Sequence, residues 1–179
     1  MLKWLLTALV AGMALLLWRM SVFANRNLPR PGDSAPDFEL PDQNSRPRAS
    51  AQFRGRWLVL YFYPRDDTRG CTEQAARFRE AMSEFDALDA AVCGVSVDGS
   101  ESHAKFVRKY NLPFTLLADK AGVVAARYGS LRNFGFMKLA KRNTFLIDPQ
   151  GRVARVYLGV NPARNARAVV DDLRKQGNS

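Results

Sequence analysis

Hydrophobic and polar residues alternate along this chain in two distinct patterns. Short apolar runs rich in β-branched and aromatic side chains predict buried strands. Apolar residues that recur every three or four positions predict amphipathic helices. The predicted strands are residues 57–63, 91–97, 114–118, 144–147 and 153–160, and the predicted helices are residues 72–88, 106–110, 123–128 and 166–173. The turn sequence DPQG joins the last two strands as a hairpin. This order predicts an α/β sandwich with a mixed sheet.

The N-terminal segment differs from the rest of the chain. Residues 4–18 are almost unbroken apolar sequence, preceded only by Lys3. The run is shorter than the roughly 20 residues of a bilayer span, but residues 20–24 could extend it into a membrane anchor. A basic start, an apolar stretch and a small residue at Ala24 equally fit a cleaved signal peptide. A buried soluble helix is the third alternative.

These alternatives set the expected organisation and location. We expect residues 1–24 to be a signal peptide or membrane anchor, residues 25–32 a linker rich in Asn, Arg and Pro, and residues 33–176 one folded domain. The protein is then either membrane-associated through residues 4–24 or exported to the periplasm. The side of the membrane stays open, because the basic residues after the segment favour a cytoplasmic domain and a signal peptide favours export.

Composition narrows the chemistry. The net charge of +10 is a moderate excess that fits a solvated basic surface or attraction to anionic headgroups, and we expect no nucleic-acid partner. The chain has two cysteines and one histidine, too few for a Cys/His zinc site, which needs four ligands. No metal or cofactor is therefore predicted. His103 stands just before an amphipathic run and is expected to be exposed in a first helical turn.

Cys71 is the main candidate for chemistry. It follows a predicted strand and turn and stands where a helix begins near Thr72. The unpaired N–H groups and the dipole at a helix start favour a thiolate over a thiol. A thiolate is the nucleophilic form of cysteine.

The sequence around Cys71 resembles a known family. Residues 61–73, YFYPRDDTRGCTE, are similar to the active-site signature of peroxiredoxins of the bacterioferritin comigratory protein type, with Pro64, Thr68 and Cys71 at the family's spacing. Three further segments are similar to the family: GDSAPDFEL at residues 32–40, GVSVDGSESH at 94–103 and RNTFLIDPQG at 142–151. The resemblance covers about residues 32–175. It implies a thioredoxin-like three-layer sandwich with a mixed central sheet, here preceded by an N-terminal apolar helix.

The resemblance also implies an activity and a site. The chain would be a thiol-dependent peroxidase that reduces hydrogen peroxide and organic hydroperoxides through a cysteine sulfenic acid, in antioxidant defence and redox homeostasis. Cys71 would be the nucleophile, Thr68 and Arg142 would bind the peroxide and the thiolate, and Pro64 would shield the sulfur from water. The alternatives are structural: Thr68 as an N-terminal cap, Pro64 as a strand terminator and Arg142 as a surface cation.

Several positions depart from the family pattern. Many relatives carry a resolving cysteine five residues beyond the nucleophile, where this chain has Ala76. The usual Glu three residues after the nucleophile is Gln74, and the usual Pro two residues before it is Arg69. Cys93 lies in a predicted buried strand and is interpreted as a core residue. A one-cysteine mechanism is therefore expected, with thioredoxin, glutaredoxin or a small thiol as the external reductant.

Two other classes of protein are weighed against this one. A thioredoxin-like disulfide oxidoreductase needs a second cysteine three residues after the first, and Gln74 occupies that position. A membrane-bound redox sensor or holdase would oxidise Cys71 once, without turnover. The apolar residues at 131–140 fit a peroxide entrance, a dimer contact or ordinary core. The protein is expected to be a monomer or a homodimer.

Overall fold

The computed structural model describes residues 28–176 together with Met13. The predicted N-terminal apolar helix, in residues 4–24, lies outside the described residues except for Met13. The whole predicted folded domain, residues 33–176, can therefore be compared with the structure, and the predicted anchor cannot.

A five-stranded mixed sheet forms the centre of the described region. Its strands are β3 (Trp57–Phe62), β4 (Ala90–Ser96), β5 (Thr115–Ala118), β8 (Thr144–Ile147) and β9 (Val153–Tyr157), arranged in the order β5-β4-β3-β8-β9. β3 pairs in parallel with β4, which pairs in parallel with β5, whereas β8 is antiparallel to both β3 and β9. The predicted mixed sheet and its closing hairpin are confirmed.

Helices cover one face of the sheet. They are α1 (Arg69–Glu80), α2 (Met82–Ala87), α3 (Ser100–Tyr110) and α5 (Asn165–Gln176). Their buried apolar residues form one core with Val59 and Tyr61, which point to that face from β3. The predicted single helix over residues 72–88 is two helices, because the backbone leaves helical geometry at Ala81 (φ −92°, ψ 3°).

The other face carries a second core. Leu58, Leu60 and Phe62 of β3 pack there against helix α4 (Val123–Arg127) and against residues of two small hairpins. Alternate residues of β3 thus enter opposite cores, as a strand buried on both faces requires.

The two hairpins were not predicted. One joins β1 (Glu39–Pro41) to β2 (Pro47–Ala49), followed by a 3₁₀ turn at Ser50–Phe53, and the other joins β6 (Leu131–Asn133) to β7 (Lys138–Ala140). The tip of the second hairpin exposes Phe134, Phe136 and Met137, and Phe136 is 92% exposed. Ordinary core filling is therefore excluded as the role of these tip side chains.

Candidate active site

Cys71 lies in the first turn of helix α1, on the core side. Thr68 precedes the helix with an extended backbone (φ −86°, ψ 147°), and its carbonyl accepts the first helical hydrogen bond, from Thr72 N at 2.8 Å. The helix starts two residues before Cys71, so Cys71 belongs to the first turn, whose N–H groups lack intrahelical partners. Cys71 is buried, with 1% of its surface exposed.

Arg142 is brought to this sulfur from the segment between β7 and β8. Its Nη2 donates to Cys71 Sγ at 3.3 Å, and its Nη1 approaches the carbonyl of Gly70 at 3.4 Å. Glycine keeps this approach open, because a Cβ at position 70 would stand 3.3 Å from Nη2. The structural alternative, a surface cation, does not describe a guanidinium in contact with a buried sulfur.

A row of buried polar side chains continues from this arginine. Arg142 Nη1 donates to Gln74 Oε1 at 2.6 Å, and Gln74 Nε2 donates to Asn165 Oδ1 at 2.9 Å. Thr144 Oγ1 donates to the same Asn165 oxygen at 2.8 Å. Sequence reasoning noticed Gln74 only as a departure and missed Asn165 and Thr144. The available signal was a polar residue in each of two otherwise apolar patterns, the α1 stripe and strand β8.

Pro64 and Arg142 meet in an open cleft of about 470 Å³. Its polar side chains are the amide of Asn143 and the cations of Arg132, Lys141 and Arg142, and none of its side chains is acidic. The lining residues are Leu28, Pro64, Gly129, Arg132, Ala140, Lys141, Arg142, Asn143, Leu158, Gly159 and Val160. The cleft is of ligand size, and it reaches the guanidinium that contacts the sulfur.

Thr68 occupies the N-cap position but does not cap the helix with its side chain. Its hydroxyl donates instead to the carbonyl of Arg65 at 3.1 Å. The oxygen retains lone pairs that can accept a hydrogen bond. The structural alternative of a side-chain cap is therefore not seen.

The loop before helix α1 is fastened by two acidic residues. Asp66 is buried and accepts from Tyr63 Oη at 2.7 Å, from Ser102 Oγ at 2.7 Å and from His103 Nδ1 at 2.8 Å. Although burial alone would raise the pKa of Asp66, these bonds, led by that of His103, hold it below its ordinary value. The next residue, Asp67, is bound on the surface by Lys109 Nζ at 2.7 Å.

The expectation for His103 was wrong. Its side chain is fully buried rather than exposed, and its Nε2 has no hydrogen-bond partner among the described residues. The sequence pattern failed because His103 lies on the inner face of α3, beneath the active-site loop, a position decided by a contact 37 residues away along the chain.

The second cysteine lies on the opposite face of the sheet. Cys93 belongs to the core formed with Leu60 and Val95, whereas Cys71 belongs to the core under α1. Burial raises the pKa of the Cys93 thiol to about 12. The interpretation of Cys93 as a core residue agrees with this placement.

A thioredoxin-like sheet that leads a strand into a helix start, with a cysteine there touching a guanidinium, is the arrangement of a thiol peroxidase. Comparison with known proteins gives the family. The AhpC/TSA family pattern matches residues 31–156, and the chain belongs to that family.

Individual relatives agree with this assignment. Chloroplastic peroxiredoxin Q of Sedum lineare is 44% identical over 126 residues, which are 70% of this chain and 67% of that protein. Peroxiredoxin Bcp of Bacillus subtilis is 42% identical over 148 residues, 80% of this chain and 94% of that protein. The crystal structure of peroxidoxin BcpB from Mycobacterium tuberculosis has a TM-score of 0.79 at 35% identity, covering 82% of this chain and 97% of that one.

These relationships confirm the resemblance, the thioredoxin-like fold and the thiol peroxidase activity. The chain is an oxidoreductase that takes a hydroperoxide as substrate and a thioredoxin-type thiol as reductant. The membrane-bound sensor or holdase finds no support among the relatives.

The predicted location is wrong. The relatives are named as chloroplastic peroxiredoxin Q or as bacterial Bcp. None of these names mentions a membrane anchor or export to the periplasm. Within residues 28–176, no helix is both long and apolar enough to pass through a bilayer. The apolar run was interpreted from its length and flanking charges alone, and both fit several kinds of segment.

Proposed function

We propose that Cys71 is the nucleophile of the peroxidase reaction. Its thiolate attacks the terminal oxygen of a hydroperoxide, the S–O bond forms as the O–O bond breaks, and a sulfenic acid remains. The S–OH group keeps the hydrogen of the terminal peroxide oxygen, and the leaving oxygen departs as hydroxide or alkoxide and takes a proton from solvent to give water or an alcohol. The supporting observation is the 3.3 Å contact between Arg142 Nη2 and Cys71 Sγ in the first turn of α1.

Arg142 has two roles in this proposal. Its positive charge stabilises the thiolate before reaction, and its N–H groups face the region where negative charge develops on the leaving oxygen. A planar guanidinium can hold Gln74 with one nitrogen and the sulfur with the other. The nitrogen facing the sulfur is therefore oriented before the substrate arrives.

Thr68 and Pro64 complete the proposed site. The Thr68 oxygen accepts a hydrogen bond from the O–H group of the bound peroxide, while its own O–H group keeps its hydrogen bond to the Arg65 carbonyl. Pro64 lines the same cleft as Arg142 and limits the approach of water to the sulfur. The hydroperoxide enters through this cleft, with its O–O group toward Cys71.

The oxidised sulfur is reduced from outside the chain. Ala76 occupies the position of a resolving cysteine, and the central sheet separates Cys71 from Cys93. An external thiol attacks the sulfenic acid to form a mixed disulfide and water, and a second thiol then releases Cys71. Thioredoxin, glutaredoxin and small thiols are the proposed donors.

We also propose residues 33–176 as the catalytic domain. The described end of the proposed linker lies against that domain, because Leu28 packs on its second core and Gly32 N donates to Val153 O at 2.8 Å. The linker is thus attached to the domain over at least residues 28–32.

A peroxidase assay tests the proposal. The full chain, with Cys71→Ser and Cys93→Ser as a matched pair of variants, is supplied with hydrogen peroxide and with thioredoxin, glutaredoxin or glutathione in separate reactions. Repeated turnover that requires Cys71 and not Cys93 is the expected result. Consumption of a single equivalent of peroxide would identify a sensor, and turnover in the Cys71→Ser variant would refute the assignment.

A further inference from the structure

Asn165 stands at the end of a hydrogen-bonded row that begins at the reactive sulfur. The row passes from Cys71 Sγ through Arg142 and Gln74 to the Asn165 Oδ1 atom, and each step is 3.3 Å or shorter. Gln74 is fully buried and Asn165 is 3% exposed. Asn165 is the first residue of α5 and does not touch the sulfur.

The orientation of the Gln74 amide decides whether its carbonyl oxygen or its NH₂ group faces the Arg142 guanidinium. An amide offers an acceptor on one side and donors on the other, and only the carbonyl side can accept from the guanidinium. Nothing in the Gln74 side chain itself favours that orientation. The bond from Gln74 Nε2 to Asn165 Oδ1 does, because it requires the NH₂ group to point away from Arg142.

The orientation of Asn165 is fixed in turn by Thr144. The Thr144 hydroxyl and the Gln74 amide both donate to Asn165 Oδ1. Asn165 Nδ2 is buried and has no partner among the described residues. A buried donor without a partner is costly, so this orientation persists because the oxygen serves two donors at once. The reversed amide would place Nδ2 against the Gln74 NH₂ group.

We infer that Asn165 is a positioning residue for the peroxidase reaction: it fixes the Gln74 amide so that Arg142 keeps its guanidinium on the Cys71 sulfur. The row is neutral from Gln74 to Thr144. No carboxylate within it shares the charge of Arg142, so the sulfur faces a cation whose hydrogen bonds are to neutral groups. The inference rests on the proposed roles of Cys71 and Arg142.

Substitutions along the row separate orientation from packing. Asn165→Leu removes the acceptor while filling a similar volume, and Thr144→Ser keeps the hydroxyl that donates to Asn165 Oδ1 while removing a methyl group. The readouts are the rate of Cys71 oxidation by hydrogen peroxide in a single turnover and the pH midpoint of Cys71 alkylation by iodoacetamide, all in the Cys93→Ser background. Gln43→Leu, in the β1–β2 loop, is the control for loss of a side-chain amide.

The expected result is a split between the two variants. Misplacing a catalytic group by about 1 Å can slow a reaction on the order of 100-fold, so Asn165→Leu should oxidise about 10- to 100-fold more slowly and titrate at higher pH. Thr144→Ser should stay within about 3-fold of the parent, a ratio well below that misplacement effect. Gln43→Leu should match the parent in both readouts.

Two results would overturn the inference. One is an unchanged rate and midpoint in Asn165→Leu; the other is an equal loss in Asn165→Leu and Thr144→Ser, which would indicate packing alone. If Asn165→Leu does not fold, Thr144→Val, which removes only the hydroxyl, takes its place: a slower rate with a higher midpoint supports the inference, and parental behaviour refutes it. Failure of the proposed function is distinct, since the parent itself would then show no oxidation of Cys71.

Discussion

The two cysteines are equally buried but lie in opposite environments. Each is 1% exposed, yet Cys71 sits in the first turn of a helix with Arg142 Nη2 on its sulfur, and Cys93 sits within a strand of an apolar core. Burial by itself disfavours a thiolate, as the raised pKa of Cys93 illustrates. The proposed reactivity of Cys71 therefore rests on the donors placed around a buried sulfur rather than on its exposure.

Removing each sulfur in turn gives the largest expected contrast. Cys71→Ser should abolish peroxide turnover, because serine is not a thiolate nucleophile at neutral pH, and Cys93→Ser should retain most of it. Steady-state peroxide consumption with a thiol reductant measures both. Activity lost equally in the two folded variants would show that the cysteines act together.

Weakening the Arg142 donor at the Cys71 sulfur should lower the reactivity of Cys71 toward that of Cys93. Arg142→Lys replaces a planar fork by a point charge, and loss of one preorganised donor typically slows a reaction by about 100- to 1,000-fold. Single-turnover oxidation of the variant, compared with Arg108→Lys on the exposed face of α3, checks this. Near-parental oxidation of Arg142→Lys would remove Arg142 from the mechanism.

Oxidation should leave the two sulfurs unlinked. After one equivalent of hydrogen peroxide, mass spectrometry should find one added oxygen on Cys71, trapped by a sulfenic-acid reagent, and an unmodified Cys93. The reason is that the sheet lies between the two side chains. A peptide pair joined through Cys71 and Cys93 would contradict the one-cysteine mechanism.

Alkylation should distinguish the cysteines without any peroxide. Because the pKa of Cys93 is raised to about 12, its thiol remains protonated at neutral pH, and iodoacetamide should label Cys71 alone in the folded protein. Both cysteines should be labelled after unfolding in guanidinium chloride. Labelling of folded Cys93 at a rate similar to that of Cys71 would show that its core opens readily.

The smallest expected effect on catalysis is at the loop anchor. Asp66 has a folded pKa below its ordinary value, so its ionised form stabilises the fold at pH values above that ordinary value, and this contribution is lost as pH falls through the folded pKa. Asp66→Asn should lower stability at neutral pH by roughly 1–3 kcal/mol, the cost of leaving a buried hydrogen-bonding group without its partner, and should flatten the acid dependence. Urea unfolding at several pH values, with exposed Asp86→Asn as control, measures it. Equal acid dependence in Asp66→Asn and the parent would contradict the anchor.

Sequence patterns captured the parts of the site that depend on local order. The local order of strand, turn and helix start was enough to predict the position of Cys71. The family-like motif at residues 142–151 identified Arg142 as the residue that contacts it. The helix break at Ala81 was missed because the apolar stripe continues through it.

Contacts between distant segments could not be predicted in the same way. Gln74 meets Asn165 across 91 residues of chain, and His103 meets Asp66 across 37. The strands of the two hairpins are only three residues long, so no alternation revealed them.

The position of Ala76, with the sheet shielding Cys93, has a consequence for survival under oxidative stress. A sulfenic acid that finds no neighbouring thiol remains open to a second peroxide, which would carry it to sulfinic acid, a state that thiols do not reverse. The lifetime of such a molecule then depends on whether a thiol reduces the sulfenic acid before a second peroxide oxidises it. Reductant supply, more than peroxide supply, would decide how many cycles each copy completes.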